Sequence, residues 1–116
     1  MSQSFVDRRW NSADDLSLYA RDYAAGPGPA KLPVIAIHGL TRNSADFDAI
    51  APLIAQSGRR VLAIDVRGRG DSEYAKDSAT YNPATYVGDV LALLAHVMQQ
   101  IDRRAEALGQ SARQID

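Results

Sequence analysis

The strongest indication of the fold class is the segment Val34-Ile35-Ala36-Ile37-His38-Gly39. Its first four residues form a short apolar run rich in β-branched side chains, and a second such run follows at Val61-Leu62-Ala63-Ile64. Continuous apolar runs of this length are typical of parallel strands that helices cover on both faces. The two runs therefore predict a pair of parallel, buried strands in an α/β protein.

The segment between these runs predicts the crossover helix that parallel strands require. A helix over Ala51–Ser57 fits, because Pro52 then lies at its opening, where a missing N–H is not needed. Gly58 is placed to end the helix in a left-handed conformation. We expect a right-handed strand–helix–strand unit.

The residues before the first run predict a β-hairpin. Ser4–Trp10 reads as a short strand, and apolar and polar residues alternate along Leu16–Tyr23 with the period of two of a half-buried strand. Gly26–Pro29 holds two glycines and two prolines, which cannot continue a strand ladder, so a loop is expected there.

The residues after the second run predict one long amphipathic helix. Asn82 is a favourable N-cap and Pro83 a favourable first residue, while Gly109 is a natural stop. Apolar residues follow at steps of three and four, which predicts that they face the core; they are Val87, Val90, Leu91, Leu94, Val97, Met98, Ile101, Ala105 and Leu108.

Composition narrows the classes of function. The chain has 116 residues, enough for one small domain, and its 13 basic and 14 acidic residues give a net charge of −1. That charge provides no field to attract nucleic acid or an anionic membrane, so neither is expected as a partner. The absence of cysteine excludes disulfides, zinc–thiolate sites and thiol nucleophiles. No apolar run approaches the ~18 residues that span a bilayer, and the first residues lack the features of a signal peptide, so the expected location is cytoplasmic.

Taken in order, these features resemble the N-terminal part of an α/β-hydrolase-fold enzyme. The resemblance is carried by the hairpin, by His38-Gly39-Leu40 after a buried strand, and by the pattern Asp-x-Arg-Gly-x-Gly-x-Ser at residues 65–72. The helix with Tyr-Val-Gly-Asp-Val at residues 86–90 completes it. The resemblance covers about residues 5–98, so the chain is expected to form a partial α/β-hydrolase domain in which residues 99–116 are a divergent helical or polar tail.

The resemblance implies a role for the segment after the first buried strand. In this family a serine attacks an acyl carbon, and two backbone N–H groups stabilise the oxyanion that develops. One donor would be the N–H of Leu40, while Gly39 would let the backbone approach closely and His38 would shape the turn. The alternative is that His38 and Gly39 only terminate a strand. Residues 65–72 are expected to be mainly structural, and acyl hydrolysis needs no cofactor or metal.

The expected nucleophile is missing from the pattern. The family places its serine in Gly-x-Ser-x-Gly after a buried strand, which should begin near residue 102. Residues 101–113 instead carry several charged side chains, and Arg113 stands where the second glycine of Gly109-Gln110-Ser111 should be. Ser111 is therefore disfavoured as a nucleophile, and no histidine follows it. The sequence predicts a truncated hydrolase whose parent activity would be hydrolysis of a small ester, lactone or related carboxyl compound. With no catalytic residue assigned, the chain is expected to be inactive alone.

A non-catalytic function is the alternative. Without a neighbouring strand, Val34–Ile37 would leave an open sheet edge, which is a template for pairing. A complementing C-terminal half or a second copy of the chain could pair there, or the long helix could fold over the edge.

The remaining histidine and several carboxylates have ordinary interpretations. His96 is expected to be a solvated or boundary side chain of the long helix. Five aspartates are expected to cap exposed N–H groups in turns and at helix starts: Asp14, Asp15, Asp46, Asp48 and Asp89.

Overall fold

The computed structural model describes residues 5–109. The elements are strands β1 (Phe5–Asn11), β2 (Ser17–Tyr23) and β3 (Val34–Ile37), helix α1 (Ile50–Gln56), strand β4 (Val61–Asp65) and helix α2 (Pro83–Ala107). Two single-turn 3-10 helices lie at Ser44–Phe47 and Ser78–Thr80. The predicted hairpin, crossover helix and long final helix are all present.

The strands form one mixed sheet in the order β1-β2-β4-β3. β1 and β2 pair as an antiparallel hairpin, β2 is antiparallel to β4, and β3 is parallel to β4 with Val34 opposite Val61. The prediction of a parallel pair formed by the two apolar runs is confirmed.

The two helices cover opposite faces of the sheet, which gives three layers. Side chains of α2 pack against one face in a cluster of buried residues: Trp10, Leu18, Ala20, Leu62, Ile64, Leu93 and Val97. Side chains of α1 pack against the other face in a second cluster: Tyr23, Ala51, Ala55, Val61 and Ala63. Every residue of β4 is buried, because β4 lies between two other strands and beneath both helices.

β3 differs from the prediction of a strand buried on both faces. Its first three residues are half-buried, and Ile37 is 54% exposed. Among residues 5–109, β3 pairs with β4 alone, so its other side is an open edge. The idea that the long helix covers this edge is wrong, since the buried residues of α2 pack against residues of β1, β2 and β4.

The two helices begin and end close to where the sequence places them. α1 begins at Ile50, one residue before the prediction, and Pro52 still lies in its first turn; Gly58 has a φ of 107° as expected of a left-handed stop. The side chain of Asn82 accepts a hydrogen bond from the Thr85 N–H at 2.9 Å, which confirms the predicted cap of α2. Its 25 residues extend about 38 Å.

The buried face of α2 coincides only in part with the predicted stripe. Its buried residues are Asp89, Leu93 and Val97, and of these only Val97 was predicted. Val90 and Ile101 of the stripe are half-buried and pack against the same core, as predicted. Val87 and Leu91 of the predicted stripe are 58% and 60% exposed. The helix carries two neighbouring apolar stripes, and the four strands cover only one of them. No helix within residues 5–109 is long and apolar enough to cross a membrane.

Candidate oxyanion site

His38, Gly39 and Leu40 form the turn that leaves the carboxyl end of β3. The Gly39 carbonyl accepts a hydrogen bond from the Arg42 N–H at 3.1 Å, which closes the turn. His38 is buried against the sheet, whereas the side chain of Leu40 is 79% exposed. The turn therefore has one fixed residue and one that faces outward.

The imidazole of His38 joins this turn to the segment after β4. Its Nε2 accepts a hydrogen bond from the Val66 N–H at 2.9 Å, and its Nδ1 lies 2.7 Å from the Gly39 carbonyl oxygen. A backbone N–H can only donate and a carbonyl can only accept, so the network assigns the proton to Nδ1. Both ring nitrogens are thus engaged in holding backbone.

The glycine-rich loop after β4 holds the same turn from a second side. Arg69 Nε donates to the Leu40 carbonyl at 3.0 Å. The buried carboxylate of Asp65 accepts from the Ser44 N–H at 2.7 Å and from the Asp71 N–H at 2.9 Å. Asp65 thus fixes both loops at the carboxyl edge of the sheet, a role that its position at a strand end before two glycines could have indicated.

Gly70 and Ser72 complete the support of this loop. Gly70 has a φ of 51°, and a Cβ added to it would lie 2.3 Å from Asp65 Oδ2. The hydroxyl of Ser72 donates to the Asp65 carbonyl at 2.6 Å and accepts from the Tyr19 N–H at 2.9 Å. These contacts agree with the expected structural role of residues 65–72, and they leave Ser72 buried and fully engaged.

The Leu40 N–H makes no hydrogen bond with any residue in the range 5–109. A Cβ added to Gly39 would meet only Arg42 Cγ, at 3.8 Å, so packing within these residues does not require the glycine. An apolar groove of about 420 Å³ lies beside this turn and is bordered by Ile37, Leu40 and the exposed side chains of Val87 and Leu91 on α2. The site thus combines a free backbone donor with an apolar space.

A serine–histidine pair is absent from residues 5–109, since no serine hydroxyl in that range is hydrogen-bonded to either histidine. His96 lies on α2 and is half-buried, as expected of a boundary side chain. Burial, together with the positive charges of Arg8, Arg103 and Arg60, lowers its pKa. The initial segment up to Ser4 and the candidate elbow serine, Ser111, lie outside the described residues.

The positions expected of the five aspartates hold in part, since Asp14 lies in the hairpin turn and Asp46 in the first turn of a 3-10 helix. The expected capping role at helix starts is wrong, because the side chains that cap helices within residues 5–109 are those of Asn43, Asp77 and Asn82. Asp89 is instead buried and pairs with Arg67, whose side chain is 1% exposed and also reaches Asp14. Hydrogen bonds from Arg67 and Ser12 hold the pKa of Asp14 well below its ordinary value. Arg67 was missed because an arginine in a glycine-rich loop usually faces solvent.

The described residues bring no three acidic or imidazole side chains together as a metal site would require. The turn offers hydrogen-bond donation from the Leu40 N–H beside an apolar groove.

A sequence profile of the alpha/beta hydrolase fold matches residues 33–108, about two thirds of the chain. The matched range begins just before β3 and includes the turn at residues 38–40, the glycine-rich loop and α2. The chain belongs to the alpha/beta hydrolase family.

Individual hydrolases are similar to this chain over part of its length. The chain is 35% identical over 77 residues to the 3-hydroxybutyrate-oligomer hydrolase of Cupriavidus necator. This match covers 66% of this chain and 26% of that protein. It is 31% identical over 83 residues to an epoxide hydrolase of Caballeronia sordidicola, covering 72% of this chain and 24% of that protein. The chain thus spans about a quarter of the length of these curated relatives.

The solved structures agree. An alpha/beta hydrolase from Novosphingobium aromaticivorans superposes with a TM-score of 0.71 and 43% identity, over 83% of this chain and 32% of that one. The fold of residues 5–109 is therefore that of the N-terminal part of an alpha/beta hydrolase, as the sequence predicted.

Proposed function

We propose that these residues are the oxyanion-binding part of a serine hydrolase that cleaves a small ester, lactone or related carboxyl compound. The Leu40 N–H donates to the oxyanion that forms when a nucleophile adds to the acyl carbon. The observation that carries the proposal is the N–H of Leu40, which makes no hydrogen bond within residues 5–109 and lies on a turn that His38 and Arg69 hold in place.

Rigid support matters because an oxyanion donor must already point at the developing charge. A donor fixed in this way lowers the activation free energy by about 3–4 kcal/mol. A mobile donor would lower it less, because the donor must first become ordered. Gly39 also fits this role: packing does not require it, and its missing side chain keeps the approach to the Leu40 N–H open.

We also propose that these 116 residues do not turn over esters by themselves. A serine is a weak nucleophile without a base positioned beside it. Both ring nitrogens of His38 are hydrogen-bonded to backbone groups. His96 lies on α2, away from the turn, near Arg8 and Arg60.

Two assays test this proposal. The purified chain mixed with a p-nitrophenyl ester should give no burst and no turnover above the buffer rate. A burst that Ser111→Ala abolishes would contradict the inactivity.

The role of Leu40 is tested in a chimera that carries residues 33–72 of this chain in the hydrolase of C. necator, assayed on 3-hydroxybutyrate oligomers. Leu40→Pro removes the N–H and should lower kcat about 10²–10³-fold. Leu40→Ala keeps the N–H and is the matched control. Equal activity of the two variants would exclude the N–H as a donor.

The open edge of β3 favours a second candidate, a module that pairs with a complementing half or with another copy. Ile37 on this strand is 54% exposed, and Val87 and Leu91 on the facing side of the groove are 58% and 60% exposed. An unpaired edge next to exposed apolar side chains promotes association between chains.

Sedimentation of the purified chain distinguishes this candidate. Association that increases with concentration and is reduced by Ile37→Lys would support it, because a lysine on an edge strand opposes pairing. Leu32→Lys is a suitable control, since Leu32 is also exposed (57%) but precedes β3. A stable monomer would count against pairing through the edge.

A further inference from the structure

A second cleft lies at the opposite end of the same sheet face. It has a volume of about 700 Å³ and opens between the start of β1, the end of β2 and the C-terminal half of α2. Its charged lining consists of Arg8, Arg60, Arg104 and Asp22. The other two acidic residues of the nearby helix end, Asp102 and Glu106, do not line it.

A single carboxylate holds two of these arginines. Asp22 is 5% exposed; its Oδ2 accepts from Arg8 Nε and Nη2 at 3.0 and 2.7 Å and from Arg60 Nη2 at 2.6 Å, while its Oδ1 accepts from Arg60 Nε at 2.8 Å. Burial opposes the ionisation of Asp22, but hydrogen bonds from Arg60 and Arg8 outweigh it and hold its pKa below the ordinary value. The carboxylate is therefore charged and already committed to the two guanidinium groups.

Positive charge remains after this pairing. Three arginines and one aspartate leave a net charge of +2 in the cleft, although the side chains of Arg8 and Arg60 are only 23% and 22% exposed. Within residues 5–109, Nη1 of Arg8, Nη1 of Arg60 and the whole guanidinium of Arg104 make no hydrogen bond. Two partly buried guanidinium groups, those of Arg8 and Arg60, thus share a single carboxylate, and the exposed Arg104 adds a third positive charge beside them. A bound anion would offset this excess of positive charge.

The titration of His96 is consistent with this excess of positive charge. After burial, the causes that lower its pKa are the charges of Arg8, Arg103 and Arg60. The charges of Arg8 and Arg60 therefore still disfavour the charged form of His96, although Asp22 lies between them.

We propose that this cleft binds the phosphate group of a small phosphate monoester. A phosphate monoester carries a charge of about −1.5 to −2 at neutral pH, which matches the +2 of the cleft. Planar guanidinium groups are well suited to phosphate oxygens, and Asp22 fixes two of them before any ligand arrives. The volume exceeds what inorganic phosphate fills, so the rest of a small molecule fits beside the phosphate.

An NMR titration of the intact chain tests this proposal. Inorganic phosphate and glycerol 3-phosphate are added at constant ionic strength, with sodium chloride as the balancing salt. The Nε–H signals of Arg8, Arg60 and Arg104 should shift with saturation, and the pKa of His96 should rise as the anion offsets the surrounding positive charge. Shifts that chloride alone reproduces would mean general screening and would overturn the proposal.

Two variants locate the binding. Arg104→Gln should weaken binding about threefold to fivefold, since an exposed charge contributes modestly. Arg42→Gln removes the same charge from a distant exposed position and should leave binding unchanged. Equal effects of both variants, or no effect of Arg104→Gln, would contradict the assignment.

A lipid headgroup is the other source of the same chemistry. Phosphatidylcholine vesicles with and without phosphatidic acid distinguish it from a free small molecule. Binding to the phosphatidic acid vesicles without binding of glycerol 3-phosphate would overturn the proposal.

Discussion

Arg67 binds Asp89 through two parallel hydrogen bonds, from Nε to Oδ2 and from Nη2 to Oδ1, each 2.7 Å long. The same guanidinium reaches Asp14 at 2.9 and 3.0 Å. The Asp89 carbonyl accepts a further bond from the Trp10 indole at 3.0 Å. One arginine therefore ties the hairpin turn, the glycine-rich loop and α2 together, and these elements surround the candidate site.

Removing Arg67 should destabilise the fold strongly. Arg67→Met leaves the buried carboxylate of Asp89 without its partner, and we expect the free energy of unfolding to fall by about 3–5 kcal/mol in urea denaturation. The double variant Arg67→Met with Asp89→Leu should recover much of this loss, because no buried charge remains. Arg42→Met, which breaks an exposed pair with Asp46, is the control. A loss no larger than that of the control would mean that the pair contributes little.

A substitution at Gly70 should be costly for a different reason. Gly70→Ala places a Cβ 2.3 Å from Asp65 Oδ2 in a backbone conformation of φ 51°, so both the loop and the carboxylate must move. We expect a loss of about 2–3 kcal/mol in the free energy of unfolding.

Gly88 provides the matched control for Gly70. It lies in α2, and an added Cβ would meet no atom within 4 Å other than those of its own stretch of helix backbone, so Gly88→Ala should stabilise the protein by about 0.5–1 kcal/mol. If both alanine variants behaved alike, the contact between Gly70 and Asp65 would not be the cause.

The order of elements could be predicted from local sequence because each signal is local. The apolar runs of β3 and β4, the strand pattern of β2 and the Asn82-Pro83 cap depend only on neighbouring residues. The predicted half-burial of β2 is wrong, because β2 lies between β1 and β4 and five of its seven residues are buried. Which face of α2 is buried depends on which strands lie beneath it, so Leu93 was missed and Leu91 was wrongly placed. The prediction that β3 is buried was wrong for the same reason. Its burial requires a second neighbouring strand, and residues 5–109 do not supply one.

In the candidate site, too, the local part could be predicted from the sequence and the tertiary contacts could not. The segment His38-Gly39-Leu40 stands out in the sequence, but its supports come from residues that are distant along the chain. His38 is 28 positions from Val66, and Arg69 is 29 positions from Leu40. The buried ion pair of Arg67 and Asp89 could not be predicted either, because in the sequence both are charged residues of the kind that usually lies on the surface.

The tautomer of His38 can be checked directly. The hydrogen bonds to Gly39 and Val66 require a neutral ring with its proton on Nδ1, so ¹⁵N spectra of the imidazole should show Nδ1 protonated and Nε2 bare. A proton on Nε2 would contradict the bond from Val66. His38→Leu leaves the Val66 N–H without an acceptor and should lower the free energy of unfolding by about 1–3 kcal/mol.

Acid should destabilise the fold through Asp14 and Asp22. Hydrogen bonds from Arg67 and Ser12 lower the pKa of Asp14, and hydrogen bonds from Arg60 and Arg8 outweigh burial to lower that of Asp22. In the unfolded chain an aspartate has a pKa of about 3.9, so as the pH falls toward that value the unfolded chain binds more protons than the folded chain. The stabilisation is complete above about pH 5 and is lost progressively as the pH falls toward the lower pKa values of the folded state.

Urea denaturation at a series of pH values measures this dependence. Asp14→Asn should reduce the slope of the unfolding free energy against pH below pH 4, because the carboxyl group that binds the extra proton in the unfolded chain is gone. Asp102→Asn is the control, since Asp102 forms no ion pair within residues 5–109 and should leave the slope unchanged. A slope that Asp14→Asn does not alter would show that the Arg67–Asp14 contact contributes nothing to folding, and would leave Asp89 as the sole partner of Arg67.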